Sequence, residues 1–360
     1  MGLIRLSQHQ ISSEDVASVA LAMNSGTISR GSEVKAFERE FASYVEAEYA
    51  VMVSSGTAAL HLACRAVGVH ENTTVAVPTM TFAATANAPI ACGANIQLYD
   101  MEIRAHSPAG MILVAHYAGY AEDIILIGWD LADDAIVIED AAHALGARYS
   151  DSTMVGSCPR SKMTCFSFHP TKVITTGEGG CITTNSASTY QRLLRLRDNG
   201  RVQPYSEDEP FSYSVIEPGL NYWMSEMAAA LGRSQLKNLN TFLHKRIMLA
   251  NLYRSKLPGI ADLVLNEGDR ISPYIYPILI DFKEVEQSRT QVMTALLKRG
   301  IETGIHYKPL HLFPAFPGRE GDHPNAEAFY KKELTLPLHC GMSEEDVEYV
   351  CSALDEVLYG

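Results

Sequence analysis

Seven short apolar runs, separated by helical patterns, constrain the fold of this 360-residue chain more than any other feature. The runs are rich in Val and Ile and are mostly apolar at every position. Strands of that kind are covered on both faces, as they are in the middle of a mostly parallel sheet flanked by helices. We therefore predict an α/β protein with strands at 50–54, 75–78, 96–100, 111–116, 136–140, 163–168 and 181–184.

The chain changes character after about Leu236, where a polar helical stretch with few β-branched residues begins. Beyond that stretch the sequence predicts a strand over 274–281 and a C-terminal amphipathic helix capped by Ser343. We therefore expect two domains, a large one over residues 1–240 and a smaller C-terminal α+β domain over residues 241–360.

Composition excludes several classes of protein. The 29 Lys and Arg residues against 42 Asp and Glu residues give a net charge of −13, which disfavours a nucleic-acid partner. No apolar run approaches the roughly 20 residues of a membrane span, and the first residues lack the apolar core of a signal peptide. The seven scattered cysteines never form a CxxC pair. We expect a cytoplasmic protein with free thiols, no membrane association and no metal site.

Small polar residues at 54–57 (SSGT) follow a predicted strand and precede a helix. The free N–H groups and the dipole of a helix N-terminus make an anion site there, to which the Ser55 and Thr57 hydroxyls could add hydrogen bonds. An ordinary capped turn between a strand and a helix explains the same residues. Taken alone, this segment favours such a turn over an anion site.

Asp140 ends another predicted strand, at the carboxyl edge of the sheet where ligands bind in open α/β folds. A carboxylate at that edge can pair with a cationic ring nitrogen, although a helix cap is an equal alternative for this residue alone.

Lys172 is the most specific of the candidate residues. It lies between a predicted strand and the Gly-rich turn at 177–180, which favours a position inside the fold. Burial can remove the proton of a lysine and turn it into a nucleophile toward a carbonyl. An anion site, an acidic partner for a ring nitrogen and a buried lysine together suggest pyridoxal phosphate held as a Schiff base.

These segments resemble the DegT/DnrJ/EryC1/StrS sugar aminotransferases, which are fold-type I enzymes that depend on pyridoxal phosphate. The resemblance covers nearly the whole chain. Within the family, TFAATANA, SFHP-K and HYKP are most similar to the branch that aminates UDP-linked 4-keto-6-deoxy-hexosamines in pseudaminic acid biosynthesis. The matching segments are 54–63 (SSGTAALHLA), 77–94, 137–149 (VIEDAAHALGARY), 166–180 (FSFHPTKVITTGEGG), 219–222 (GLNY), 306–309 (HYKP) and 336–339 (LPLH).

The resemblance implies a role for each matching residue. Lys172 would form the Schiff base and carry the proton, Asp140 would hold the ring nitrogen protonated, and His143 would lie near the ring oxygen. Phe82 would stack on the ring, with a core aromatic as the alternative. The other cofactor contacts implied are Gly56, Thr57 and Ser167 at the phosphate, and Asn221 at the phosphate of a partner subunit, which requires a homodimer.

Substrate contacts follow from two further motifs of the family. Thr27 and Arg30 lie in TISRG, which matches a loop that closes over the nucleotide-sugar, and a guanidinium suits a diphosphate. His306, Tyr307 and Lys308 would line the sugar or diphosphate side. As bare residues, Arg30 and Lys308 are more often solvated charges.

The sequence departs from the family pattern in two places. The segment 101–110 is shorter than usual, and Trp223 stands where the family usually has arginine after GLNY.

The resemblance predicts transfer of an amino group from L-glutamate to a 4-keto-6-deoxy nucleotide-sugar by a ping-pong mechanism. The alternatives are a GDP- or dTDP-linked acceptor, a dehydratase, in which histidine would replace Lys172, and a non-catalytic binding or regulatory protein of the same fold.

Overall fold

The seven predicted strands form one sheet in the computed structural model, which describes residues 2–101, 110–122, 135–202, 212–257, 261–262 and 270–360. The order across the sheet is β1-β7-β6-β5-β4-β2-β3. The pairs from β3 to β6 run parallel, and β7 is antiparallel to both its neighbours, so the predicted mostly parallel sheet is confirmed. The strands are Tyr49–Val53 (β1), Thr74–Pro78 (β2), Asn95–Tyr99 (β3), Met111–Ala115 (β4), Ile136–Asp140 (β5), Met163–Ser167 (β6) and Gly180–Thr184 (β7).

Helices cover this sheet and explain its apolar sequence. Every residue of β7 is buried, whereas the edge strand β3 has no fully buried position. Within the described part of the chain, no helix combines the length and the apolar character needed to cross a membrane. The helices are Ser13–Asn24 (α1), Ser32–Tyr44 (α2), Gly56–Ala66 (α3), Ala83–Ala91 (α4), Ala187–Arg197 (α5), Glu226–Lys237 (α6), Leu239–Lys256 (α7), Arg289–Lys298 (α8), Pro324–Lys332 (α9) and Glu344–Tyr359 (α10).

The C-terminal part of the chain builds a second, smaller sheet. Strands Ala261–Asp262 (β10), Tyr276–Leu279 (β11) and Glu333–Leu336 (β12) pair antiparallel, and β11 lies within the predicted strand at 274–281. The Ser343 side chain caps α10 in a capping box, as its sequence predicts. Arg201–Val202 (β8) and Ser214–Val215 (β9) pair antiparallel as a separate two-stranded sheet. The domain boundary at residue 240 stays a prediction.

The strand directions gather several chain segments at one edge of the large sheet. Strands β4, β5 and β6 are parallel to one another. Strand β1 points the same way, because β1 and β6 are both antiparallel to β7. Their carboxyl ends therefore meet at the same edge, where α3 also begins. That edge is where ligands bind in open α/β sheets.

A buried ion pair ties the end of α5 to the sheet. Arg197 is 2% exposed, and its Nη1 donates both to Glu38 and to the carbonyl of Met52, at 2.7 Å. Glu38 also accepts the Met52 N–H at 3.0 Å. The pair satisfies both the donor and the acceptor of one residue of β1.

Replacing only one partner of this pair should be costly. We expect Arg197→Met to lower the free energy of unfolding by about 3–5 kcal/mol, because it leaves Glu38 buried and uncompensated. The double variant Glu38→Gln with Arg197→Met should recover part of that loss. Urea unfolding of the three proteins measures both effects. Equal losses in the single and double variants would contradict this account.

Candidate active site

A cavity of about 330 Å³ opens at the carboxyl edge of the large sheet. It brings together residues that are far apart in the sequence. Those among them that the sequence analysis predicted are Gly56, Thr57, Phe82, Asp140, His143, Ser167, Lys172, His306 and Tyr307.

The N-terminus of α3 forms one end of the cavity. The Ser55 hydroxyl accepts the N–H of Ala58 at 3.0 Å and so caps the helix, which leaves the first amides, those of Gly56 and Thr57, for an anion. Gly56 is pressed against β6: a Cβ atom there would lie 2.7 Å from the Cβ of Ser167. Only glycine brings the helix this close to the serine, so both can contact one small anion.

Asp140 is held rigidly at the end of β5. It is 8% exposed, its Oδ2 accepts the hydroxyl of Thr85 at 2.7 Å and its Oδ1 accepts the N–H of Ala142 at 3.1 Å. Thr81 lies 2.8 Å from the Thr85 hydroxyl. The sequence analysis did not find these two threonines. Thr81 precedes α4 and Thr85 lies in its first turn, and neither position carries a local sequence signal for a bond to Asp140.

Lys172 contributes the amine of the cavity. Its Nζ lies 4.2 Å from the centre of the Tyr274 ring. The Tyr274 hydroxyl donates to Thr171 at 3.0 Å, which fixes the ring beside the lysine. Among the described residues, no carboxylate forms an ion pair with this ammonium. The amine therefore faces an aromatic surface and remains available to a ligand.

His143 is neutral and packed between aromatic rings. Its Nε2 is 3.0 Å from the Tyr307 hydroxyl, and its ring centre is 4.1 Å from that of Tyr274. Burial lowers the pKa of His143 well below its usual value, and the nearby charge of Lys172 lowers this pKa further. A neutral imidazole here can exchange a hydrogen bond with a ligand without adding charge.

Phe82 is 60% exposed, although it lines the cavity. Its ring centre lies 6.1 Å from that of Tyr307. The alternative of a buried core aromatic therefore does not apply, and the ring face is free to stack on a planar ligand.

Four other residues that the sequence analysis predicted do not line the cavity. Arg30 pairs with Asp198 at 2.7 Å, and its guanidinium lies 5.3 Å from the centre of the Trp223 ring. Trp223 also covers Arg197 at 3.9 Å. An arginine in place of Trp223 would face two cations, so the indole suits this surface better. The other three are Thr27, Asn221 and Lys308, and their roles as ligand contacts stay predictions.

The donor set fits pyridoxal phosphate. An amide-rich helix end suits a phosphate, a buried carboxylate suits a ring nitrogen, an exposed aromatic suits a ring face, and an amine suits an aldehyde. Among the described residues, no group of three or more His, Cys, Asp or Glu side chains is arranged so that it could hold a metal ion.

Comparisons with known proteins agree with this donor set. The pattern of the DegT/DnrJ/EryC1/StrS aminotransferase family matches residues 9–355. The UDP-4-amino-4,6-dideoxy-N-acetyl-beta-L-altrosamine transaminase of Campylobacter jejuni is 32% identical, over 99% of this chain and 98% of the relative. GDP-perosamine synthase of Escherichia coli O157:H7 is 30% identical, over 91% of each chain.

The solved structure of Spr1654 from Streptococcus pneumoniae in its PLP form superposes with a TM-score of 0.88. It is 25% identical, and the match covers 99% of this chain and 98% of that chain.

Proposed function

The chain belongs to the DegT/DnrJ/EryC1/StrS aminotransferase family, and on that premise we propose that it moves an amino group from L-glutamate to a UDP-linked 4-keto-6-deoxy-N-acetylhexosamine. The chain is a sugar aminotransferase, and it depends on pyridoxal phosphate. The observation that supports the proposal most directly is that Lys172, Asp140 and His143 line one cavity beside the N-terminus of α3.

We assign the cofactor to that cavity by the chemistry of its walls. The phosphate would bind the amides of Gly56 and Thr57 and the Ser167 hydroxyl, and Phe82 would cover the ring. When bound, pyridoxal phosphate supplies an aldehyde that exchanges amino groups and a ring that withdraws electrons from the substrate carbon. Asp140 would keep the ring nitrogen protonated.

The residues of the chain then supply proton transfer and orientation. Lys172 Nζ would move a proton between the substrate carbon and the aldehyde carbon of the cofactor, in opposite directions in the two halves of a ping-pong cycle. Asp140 keeps its place through its bonds to Thr85 and Ala142. His143 would hydrogen-bond to the ring oxygen while Tyr307 fixes its orientation.

We further propose that the working unit is a homodimer. Asn221 is exposed and pairs with Asp198 in an isolated bridge, on the same surface as Arg30. These residues do not line the cavity in their own chain, so we assign them to the site of a second copy. Arg30 would meet the diphosphate of the nucleotide-sugar there, with Thr27 beside it.

Absorbance spectra of the two half-reactions test the proposal. L-glutamate should remove the visible absorption band of the holoenzyme. After the free amino acid is removed, a UDP-linked 4-keto-6-deoxy-N-acetylhexosamine should restore that band.

Each outcome of this experiment has a distinct meaning. If only a GDP- or dTDP-linked keto-sugar restored the band, the acceptor assignment would be wrong and the aminotransferase would stand. If L-glutamate left the visible absorption band unchanged, the proposed amino donor would be wrong.

A further inference from the structure

A buried carboxylate that the proposed chemistry does not use lies behind one wall of the cavity. Glu333 is the first residue of β12 and is fully buried. Its Oε2 accepts the backbone N–H of His306 at 3.1 Å, and its Oε1 accepts the hydroxyl of Thr335. Thr335 in turn lies 2.9 Å, by its Oγ1, from the Nδ1 of His306. The carboxylate thus holds the backbone of His306 directly and contacts its cavity-lining imidazole through Thr335.

The position of each proton in the hydrogen bonds that join Glu333, Thr335 and His306 follows from the number of hydrogens that each group can donate. A threonine hydroxyl has one proton, and here it is donated to Glu333. The Oγ1 of Thr335 must therefore accept from His306, which places the imidazole proton on Nδ1. No described residue bonds to Nε2 of His306, so its lone pair is left for a ligand in the cavity.

The electrostatic surroundings suit this arrangement. Burial raises the pKa of Glu333 to about 7, whereas burial and the charge of Lys172 lower the pKa of His306 to about 4. The imidazole therefore resists a positive charge, and the carboxylate is the better proton acceptor of the two.

Other groups face Glu333 from the surrounding elements. Arg289, on α8, donates to the backbone carbonyl of Glu333 at 3.1 Å, and its charge opposes the rise in the pKa of the carboxyl. The Tyr117 hydroxyl donates to the carbonyl of His306, and Tyr307 follows in the chain. Burial raises the pKa of both tyrosines well above the usual value, so they stay neutral near pH 7.

We infer that Glu333, acting through Thr335, holds His306 as the Nδ1–H tautomer and presents Nε2 as a proton acceptor on the cavity wall. A proton can then enter at Nε2 from an ammonium or hydroxyl group of a bound substrate. As that bond forms, the Nδ1 proton moves to Thr335, and the Thr335 proton moves to Glu333. The imidazole is neutral before and after, and the carboxylate becomes a carboxylic acid.

Glu333 is a positioning residue in this scheme, because it acts on the substrate only through His306. The identity of the proton donor rests on the proposed function, but the tautomer does not. Protonation of Glu333 reverses the chain of hydrogen bonds and leaves a proton on Nε2. The acceptor is therefore present above the pKa of Glu333 and is lost as the pH falls through about 7.

The histidine ring itself provides the first test. In holoenzyme labelled with ¹⁵N in histidine only, the His306 resonances are identified by their loss in His306→Gln. We expect Nδ1 protonated at about pH 8 and Nε2 protonated at about pH 6, with the ring neutral throughout. A ring that keeps its proton on Nδ1 across this range would overturn the inference, whatever the enzyme's substrate is.

Two variants separate this role from a structural one. In Glu333→Gln, the side-chain NH₂ donates to Thr335, so the tautomer should be fixed as Nε2–H at both pH 6 and pH 8. We expect kcat/KM at pH 8 to fall by about 10²-fold, and its dependence on pH near 7 to disappear. Thr335→Val removes the hydroxyl that links the two groups and should abolish the same pH dependence while Glu333 remains.

Glu302→Gln is the matched control. Glu302 accepts the N–H of Leu6 at 3.1 Å and has no bond to His306, so its replacement should leave the pH profile as in the wild type. Survival of the wild-type pH dependence in both Glu333→Gln and Thr335→Val would contradict the inference.

Discussion

Lys172→Ala should lower kcat by at least about 10³-fold while leaving the unfolding transition of the protein unchanged. Among the described residues that line the cavity, Lys172 carries the one amine. No other described lining residue can both react with a carbonyl and move a proton between the substrate carbon and the aldehyde carbon of the cofactor. The ammonium has no ion pair among the described residues, so its loss leaves no buried charge uncompensated. Single-turnover rates with L-glutamate and with the keto-sugar measure the two halves separately.

A lysine ten residues away supplies the control. Lys162 is exposed at the start of β6, and Lys162→Ala should turn over like the wild type. Added methylamine should restore part of the activity of Lys172→Ala, because a free amine can enter the space that the side chain leaves. Wild-type rates in Lys172→Ala without any added amine would refute the role of this residue.

The sheet could be predicted closely because its strands are apolar on both faces. Each predicted run agrees with an observed strand to within one residue at either end. The reversed direction of β7 could not be predicted in the same way. Strand direction depends on pairing partners, and the runs at 163–168 and 181–184 read alike whether their strands are parallel or antiparallel.

The lining residues of the cavity that lie at or just after the end of a strand could be predicted from the sequence. Asp140, Ser167 and Lys172 lie at or just after such ends, and the rule that ligands bind at the carboxyl edge identifies them. Thr85 was missed because its bond to Asp140 joins positions 55 residues apart. A threonine on a helix gives no sign of such a partner.

The relay through Glu333 was missed for a related reason. Glu333 follows two exposed lysines and so resembles the end of a solvated helix. Its burial depends on the bridge between Gly304 and Thr335, which brings residues 304–307 alongside β12. Pairing of distant segments therefore decides which carboxylate is buried, and a local pattern does not contain that information.

The sequence-based prediction for Arg30 was limited in a different way. The contacts of Arg30 with Asp198 and Trp223 lie within the chain, and its predicted contact with the diphosphate stays a prediction. The sequence motif identifies the residue, but it does not locate the ligand that the residue would contact.

Asp140→Asn should lower kcat by about 10²–10³-fold, the usual loss when one preorganised electrostatic group is removed from an active site. The carboxylate has two accepted hydrogen bonds, from Thr85 and from Ala142, that hold it in place. An amide can keep the bond from Ala142, and its NH₂ can donate to Thr85. The shape of the site is therefore preserved, and the lost charge is the main change. The measurement is kcat with saturating L-glutamate and keto-sugar, at equal cofactor content.

Two further variants separate charge from position at this site. Thr85→Val keeps the Asp140 charge but removes one bond that orients it, so its kcat should fall between those of the wild type and Asp140→Asn. Asp151→Asn removes a surface carboxylate that pairs with Arg160 at 2.7 Å, and it should have no effect on kcat. Turnover in Asp140→Asn equal to that of Asp151→Asn would mean that the charge at the end of β5 does not act on the cofactor ring. In that case Asp140 would serve only to hold Thr85 and the start of the following turn.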